Sequence, residues 1–279
     1  MKLLWTTDIH LDHLKLPDIQ AFCRDILKPQ NPDAIVITGD LTISELLFHH
    51  LLVLEKEMEP IPVFFVLGNH DYYYGSIKEI REILTEQYSY PEDKKGLFHK
   101  GAYWLGSSDI IPLTDSIALI GHDGWYDGGY ADWFKSKLWM MDYDVIQELN
   151  SKSCPLKEIR FNTLQRFAWE SADYIKENMV KAFNEGYETL YIATHIPPFR
   201  ENSTYQGKIS DDTWMPHFSS KIMGDMLLEV MTKYPDKSAI VICGHSHGKA
   251  FHKPLENLEV HTGQAFYGDP SVAKIFSDK

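Results

Sequence analysis

The chain has 279 residues, with 40 acidic against 27 basic side chains and a formal net charge of -13. Clustered Lys and Arg neutralise phosphates in proteins that coat nucleic acid, and this balance supplies no such surface. A content of 44% hydrophobic, 13% aromatic and 24% charged residues excludes a disordered chain.

Apolar, β-branched runs bounded by turn residues predict buried strands, and spacing near 3.6 predicts helices between them. In chain order the reading is strand Leu3–Thr7, helix Ile19–Leu27, strand Ala34–Thr38, helix Ile43–Met58, strand Val63–Leu67 and helix Ile77–Gln87. A strand at Ile117–Ile120 follows, then an aromatic- and methionine-rich insertion at about 125–153 expected to carry one or two helices. Helix Leu164–Phe183, strand Leu190–Thr194, an irregular stretch over 196–219, helix Lys221–Tyr234 and strand Ala239–Cys243 complete the reading. The alternation predicts a layered α/β fold with largely parallel strands, organised as one domain over 1–279 with enlarged loops.

Cys23, Cys154 and Cys243 are odd in number and far apart, which fits neither a disulfide framework nor a cysteine zinc site. Asp8 arrives before a secretory leader could form, and no segment approaches 18 uninterrupted apolar residues. A soluble, cytoplasmic protein is the expectation.

Five of the predicted strands deliver metal-ligand residue types at their carboxyl ends. These are Asp8-Ile9-His10, Gly39-Asp40, Gly68-Asn69-His70-Asp71, His195 and Gly244-His245-Ser246-His247. Ligands of open α/β sheets bind beyond the carboxyl ends of strands, so these groups should converge. Singly the pieces are weak, since an Asp there commonly caps the next helix. Independent chance does not explain the ordered set.

The set resembles the calcineurin-like metallophosphoesterase superfamily, whose motifs run D-x-H, G-D, G-N-H-[DE], H and G-H-x-H. The resemblance covers Asp8 to His247. It implies a layered α/β sandwich with central mixed β-sheets flanked by helices, and a dinuclear metal site at the strand carboxyl ends. Carried onto matching positions, Asp8, His10 and His247 would hold one ion, Asn69, His195 and His245 the other, and Asp40 would bridge them. His70 would serve the leaving group, with Asp71 orienting its ring. The arginine of the protein Ser/Thr phosphatase motif G-D-x-V-D-R-G is missing, because the chain reads Gly39-Asp40-Leu41-Thr42-Ile43-Ser44. The pattern is closer to the bacterial and archaeal phosphoesterase branch.

Carboxylates and imidazoles without thiolates suit Mn, Fe or Zn and do not choose among them. Two divalent ions bring about +4, from which Asp8 and Asp40 remove about two and a bridging hydroxide nucleophile about one. A cationic site inside an anionic protein follows. The expected activity is hydrolysis of a small-molecule or nucleotide phosphate ester, with a phosphodiester favoured. The alternatives are a phosphomonoesterase or nuclease of the same superfamily, or a non-catalytic metal-bound scaffold for a protein partner. The expected partner is a small phosphorylated substrate, with no nucleic-acid coat and no membrane; oligomeric state stays open. His122 and Asp123 after the Ile117–Ile120 strand, and Arg200 five residues past His195, are the candidate substrate contacts. Tyr72, Tyr73 and Tyr74 line the cleft or pack beneath it, and the aromatic insertion forms core or lid.

Overall fold

In the computed structural model, which describes residues 1–91 and 101–277, apolar runs become strands that are buried on both faces. The strands are β1 (Lys2–Thr6), β2 (Ala34–Thr38), β3 (Val63–Val66), β4 (Ala102–Trp104), β5 (Ile111–Pro112), β6 (Ile117–Gly121) and β7 (Thr189–Ala193). After them come β8 (Thr204–Tyr205), β9 (Lys208–Ile209), β10 (Ser238–Cys243), β11 (Ala250–Leu255), β12 (Leu258–Thr262) and β13 (Lys274–Ser277). The helices are α1 (Leu16–Ala21), α2 (Ser44–Met58), α3 (Ile77–Gln87), α4 (Asp142–Val145), α5 (Lys157–Asn184), α6 (Met215–Phe218) and α7 (Lys221–Lys233).

One sheet has the order β13-β1-β2-β3-β4, parallel except for β13. The other runs β11-β12-β10-β7-β6-β5, parallel through its centre and antiparallel at both edges. The alternation of side chains along a strand explains the layering. Leu3, Trp5, Val36 and Phe64 point into the layer between the sheets, where they meet Leu119, Tyr191 and Ile242 of the other sheet. Their neighbours Leu4, Ile35, Ile37 and Phe65 face the opposite way, against α2 residues Leu47, Leu51 and Leu54. On the far side, β7 and β10 pack Leu190, Ile192 and Val241 against α5 and α7 through Ile175, Met179, Leu227 and Val230. The result is helices, sheet, sheet, helices, and strands covered on both faces read as continuous apolar runs.

The predicted strands and helices are reproduced in order, with differences in detail. The first helix starts at Leu16 and passes into a π-helical stretch over Phe22–Leu27. α5 begins seven residues before Leu164, because Arg160 buries itself against the carbonyls of Leu149 and Cys154 rather than extending an apolar stripe. The insertion contains only the one-turn α4 and is otherwise turns, while the 196–219 stretch holds the β8–β9 hairpin and α6. β4 and the edge strands β11 and β13 were not expected; β11 alternates exposed and half-buried residues and so lacks an apolar run. The helix N-terminus of α3 anchors the insertion, with Glu148 accepting from the amides of Ile77 and Lys78 at 2.9 and 3.0 Å. Among the described residues, no helix is long and apolar enough to cross a membrane.

Candidate metal centre

The carboxyl ends of β1, β2, β3, β7 and β10 meet at one place, and the loops after β1, β2 and β10 turn there by adopting left-handed backbone. Asp8, His10, Asp40, His245 and His247 all have φ between 39° and 66°. That region is sparsely populated by residues other than Gly, with Asp, Asn and His its commonest exceptions, and each such residue costs of the order of 1–3 kcal/mol. The surroundings hold it in place. The amides of Asp8 and His10 donate to the carbonyls of Gly39 and Asp40 at 3.0 Å, extending the β1–β2 pairing past the strands. Gly68 is required by close approach: a Cβ there would collide with the Asp40 carboxylate and the His195 ring.

The side chains then converge in two groups. One donor atom each from Asp8, His10, Asp40 and His247 lies within 4.8 Å of the others. On the other side, Asn69 Oδ1 sits 3.3 Å from His195 Nε2 and 3.0 Å from His245 Nδ1. Asp40 stands between the groups, with Oδ2 3.8 Å from His10 Nε2 and Oδ1 3.4 Å from His195 Nε2. His195 Nδ1 lies 2.9 Å from the Thr38 carbonyl and His245 Nε2 lies 3.0 Å from the His217 carbonyl. A carbonyl only accepts, so each of these nitrogens carries the proton, and in the neutral form of a ring the other nitrogen is bare. The Asn69 amide is oriented too, since its Nδ2 donates to Asp142 at 3.0 Å. Three acceptors therefore face one another at about hydrogen-bond distance with no proton between them, an arrangement that a cation satisfies.

Charge tells the same story. Asp8 and Asp40 are buried, and among the described residues their ion-pair partners are imidazoles, not Lys or Arg. Burial and the neighbouring Asp8 raise Asp40 well above the usual carboxylate range. Burial acts the same way on Asp8, but the hydrogen bond and charge of His247 outweigh it and hold Asp8 below its usual value. Burial and His70 push His10 down to about 2, and burial carries His245 well below its usual value. Imidazoles around two buried carboxylates, with His10 and His245 held neutral, are a donor set for cations.

Comparison with known proteins bears on this directly, because the model of the calcineurin-like phosphoesterase family matches residues 1–249. The chain belongs to the calcineurin-like phosphoesterase family. It is 31% identical, over 121 residues, to an uncharacterized metallophosphoesterase of Campylobacter jejuni, an alignment covering 43% of this chain and 31% of that protein. The phosphopantetheinyl hydrolase of Mycobacterium tuberculosis superposes with a TM-score of 0.64 at 12% identity, over 95% of this chain and 89% of the other. A dimetal phosphatase from Danio rerio gives 0.57 at 14% identity, over 99% and 91%. These likenesses establish the fold, and the family is one of phosphoesterases that depend on two metal ions.

Within this phosphoesterase, the seven expected ligand positions come together and His70 stands beside them. Its ring stacks on Tyr73 with centroids 4.2 Å apart, and Nε2 lies 3.9 Å from Asp40 Oδ2. Asp71, expected to orient that ring, instead accepts from the amides of Thr42 and Gly68 at 2.9 and 2.8 Å, and so shapes the loop. His122 and Asp123 are not at the cavity. Asp123 is buried and accepts from the Leu67 amide, Tyr72 Oη, Trp104 Nε1 and Arg81, joining β3 to β6 and α3. His122 is buried beside the Tyr174 ring, which leaves no face for substrate. Arg200 pairs with Asp212 at 2.8 Å, outside the cavity lining, because its one-turn helix directs it toward the next loop. Tyr72 packs beneath the site while Tyr73 lines it.

Sequence reading missed three contributors. Asp142 of the insertion orients Asn69, and it also accepts from Tyr73 Oη and Tyr126 Oη at 2.8 Å. His217 supplies the carbonyl that fixes His245. Tyr267 lays its ring 4.4 Å from that of His10 and 5.1 Å from that of His247. Asp142 and His217 sit in the one-turn helices α4 and α6 and Tyr267 in a turn, and side chains in such short loop elements carry no signal that they reach the sheet edge.

Proposed function

We propose that this phosphoesterase hydrolyses a phosphodiester of a small molecule or nucleotide. The carrying observation is the set of three facing acceptors, Asn69 Oδ1, His195 Nε2 and His245 Nδ1, beside the Asp8, His10, Asp40 and His247 cluster. Asp8, His10 and His247 would hold one ion, Asn69, His195 and His245 the second, and Asp40 both. When bound, the ions supply a cationic anchor for phosphate oxygens and a lowered pKa for water. The donor chemistry admits Mn, Fe or Zn.

The protein's own groups do the rest. The left-handed loops fix the donors before substrate arrives. His70 faces the cavity, and burial brings it down to about 3, so the ring is neutral at neutral pH. Its N–H is then what it offers the leaving oxygen, a contribution of the kind typically worth roughly 10² to 10⁴ in rate. Diester is favoured over monoester on charge. A diester carries one negative charge, and among the described residues the cavity lining outside the cluster offers one cation, Lys208, beside one anion, Asp211.

The test is metal-reconstituted enzyme, first with Mn²⁺ and then Fe or Zn, against aryl phosphate mono- and diesters, cyclic nucleotides, nucleotides and single-stranded DNA. Selective diester hydrolysis is the expected result. Monoester-only activity overturns the diester reading, and bound metal with no hydrolysis of any ester overturns the enzyme in favour of a scaffold.

A further inference from the structure

We infer that the organic group of the substrate is apolar or aromatic and uncharged, lies in a trench beside the metal centre, and brings no second phosphate with it. The inference rests on the phosphoester reading of the preceding paragraphs and extends it to what the ester carries. The cluster opens into a cavity of about 940 Å³, the size class of sites that enclose a whole drug-sized ligand rather than a phosphate alone.

Three segments far apart in sequence build its walls. The insertion contributes Trp139 and Met141, the 196–219 stretch Tyr205, Ile209 and Trp214, and the segment after β12 Phe266. All six are exposed, Trp139 at 57% and Phe266 at 58%. Single exposed apolar residues are ordinary on a protein surface, but a contiguous set around one cavity marks a binding site.

The trench is continuous with the chemistry. Phe218 lies 4.6 Å from the ring of His245, and Trp214 lies 5.6 Å from Phe218, so aromatic surface runs outward from a ligand position. Trp139 is held in place although exposed: its Nε1 donates to Asp144 at 3.0 Å, and the Arg160 guanidinium stands 4.7 Å from its ring. A fixed aromatic surface binds flat or apolar groups with little loss of side-chain freedom. A second phosphate would find no such reception, because among the described residues Lys208 and Asp211 cancel and no arginine lines the cavity. Polyphosphates and a nucleic-acid backbone, which need several cations, do not fit this chemistry.

The experiment titrates Mn-reconstituted enzyme with non-hydrolysable methyl-, butyl-, octyl- and naphthylmethylphosphonate, read by calorimetry and tryptophan fluorescence. Each methylene buried should tighten binding roughly fourfold. We expect a rise of more than roughly 30-fold from methyl to octyl or naphthylmethyl, with a negative heat-capacity change. The combined Trp139→Ala, Trp214→Ala variant, checked for native circular dichroism, should lose most of that rise. Equal affinity along the series overturns the inference, as does tighter binding of pyrophosphate or ADP than of naphthylmethylphosphonate. Methylphosphonate binding with a flat series removes the trench alone, whereas no binding of any phosphonate, together with no ester hydrolysis, removes the phosphoester reading itself.

Discussion

The floor and the walls of the cavity are built on opposite terms. On the floor, Asp8, His10, Asp40, Asn69, His195 and His245 are buried, several have left-handed backbone, and most have their free atoms fixed by a named carbonyl, amide or carboxylate. In the walls, Trp139, Tyr205, Trp214 and Phe266 are exposed, and Trp214 rests on the Phe218 ring while Trp139 has one tether to Asp144. The difference teaches where geometry is specified. Donors for a cation lose their value when displaced by a fraction of an ångström, so backbone strain is accepted to hold them. Apolar recognition is non-directional and needs only surface.

The sharpest break in the floor is Asp40→Ala. It removes the carboxylate shared by both donor groups, together with the acceptor of the His70 amide at 2.9 Å. Groups that merely orient a ligand cost 10- to 100-fold on mutation, so loss of this one should lower turnover by more than about 10³-fold and reduce metal content measured by elemental analysis. Retained metal at full stoichiometry would show that Asp40 is not shared.

Beneath the floor, Asp123→Asn separates stability from chemistry. Asp123 and Arg81 form a buried pair at 3.1 Å, tied in by Tyr72 and Trp104. The asparagine side chain weakens the acceptor for the Leu67 amide, Tyr72 and Trp104 and leaves Arg81 with Glu170 at 2.9 Å as its remaining ion pair, so unfolding in denaturant should show a loss of about 1–3 kcal/mol. Per folded molecule, turnover should stay near wild type, since neither residue reaches the cavity. A fall in turnover matching that of His70→Ala would place Asp123 back at the substrate.

His70→Ala tests the point where floor meets wall. The ring bears on Tyr73 and faces the cavity without joining the convergent donors. Turnover should drop roughly 10² to 10³-fold with metal content unchanged. Full activity in this variant would remove the leaving-group role.

How much of this could be read from the amino acids follows the same division. Leu3–Thr7, Ala34–Thr38 and Val63–Leu67 are buried on both faces, so their apolar runs stand out and the residues that follow them stand at the sheet edge. The positions that converge at the cavity floor were legible for that reason. Edge strands such as β11 alternate with solvent and leave no run. Asp142 acts on Asn69 from 73 residues away, and Tyr267 reaches His10 from the far end of the chain, contacts that only the packed loops create. Asp71, His122 and Asp123 misled for the opposite reason. They have the residue types of a site and emerge at its edge, yet backbone amides, Arg81 and neighbouring rings already occupy them.

The smallest effect tests whether the insertion also tunes the floor. His217 presents its carbonyl to His245, and its own ring is held by two groups of the insertion, Tyr143 Oη at 2.6 Å from Nδ1 and Ser136 Oγ at 3.0 Å from Nε2. Burial brings His217 down to about 3, so the ring is neutral. Ser136 Oγ donates onward to the Thr213 carbonyl at 2.7 Å, which makes Nε2 the donor and Nδ1 the acceptor from Tyr143. Tyr143→Phe therefore leaves a buried acceptor without a donor, at about 1–3 kcal/mol of stability in a thermal or denaturant melt. The ring is one step behind the carbonyl that fixes His245, so apparent Mn²⁺ affinity should weaken by less than about 10-fold, below the range for groups that touch a ligand directly. A melt that shifts while the Mn²⁺ titration stays put would confine Tyr143 to packing, whereas a shift in both makes the insertion part of the metal centre as well as its wall.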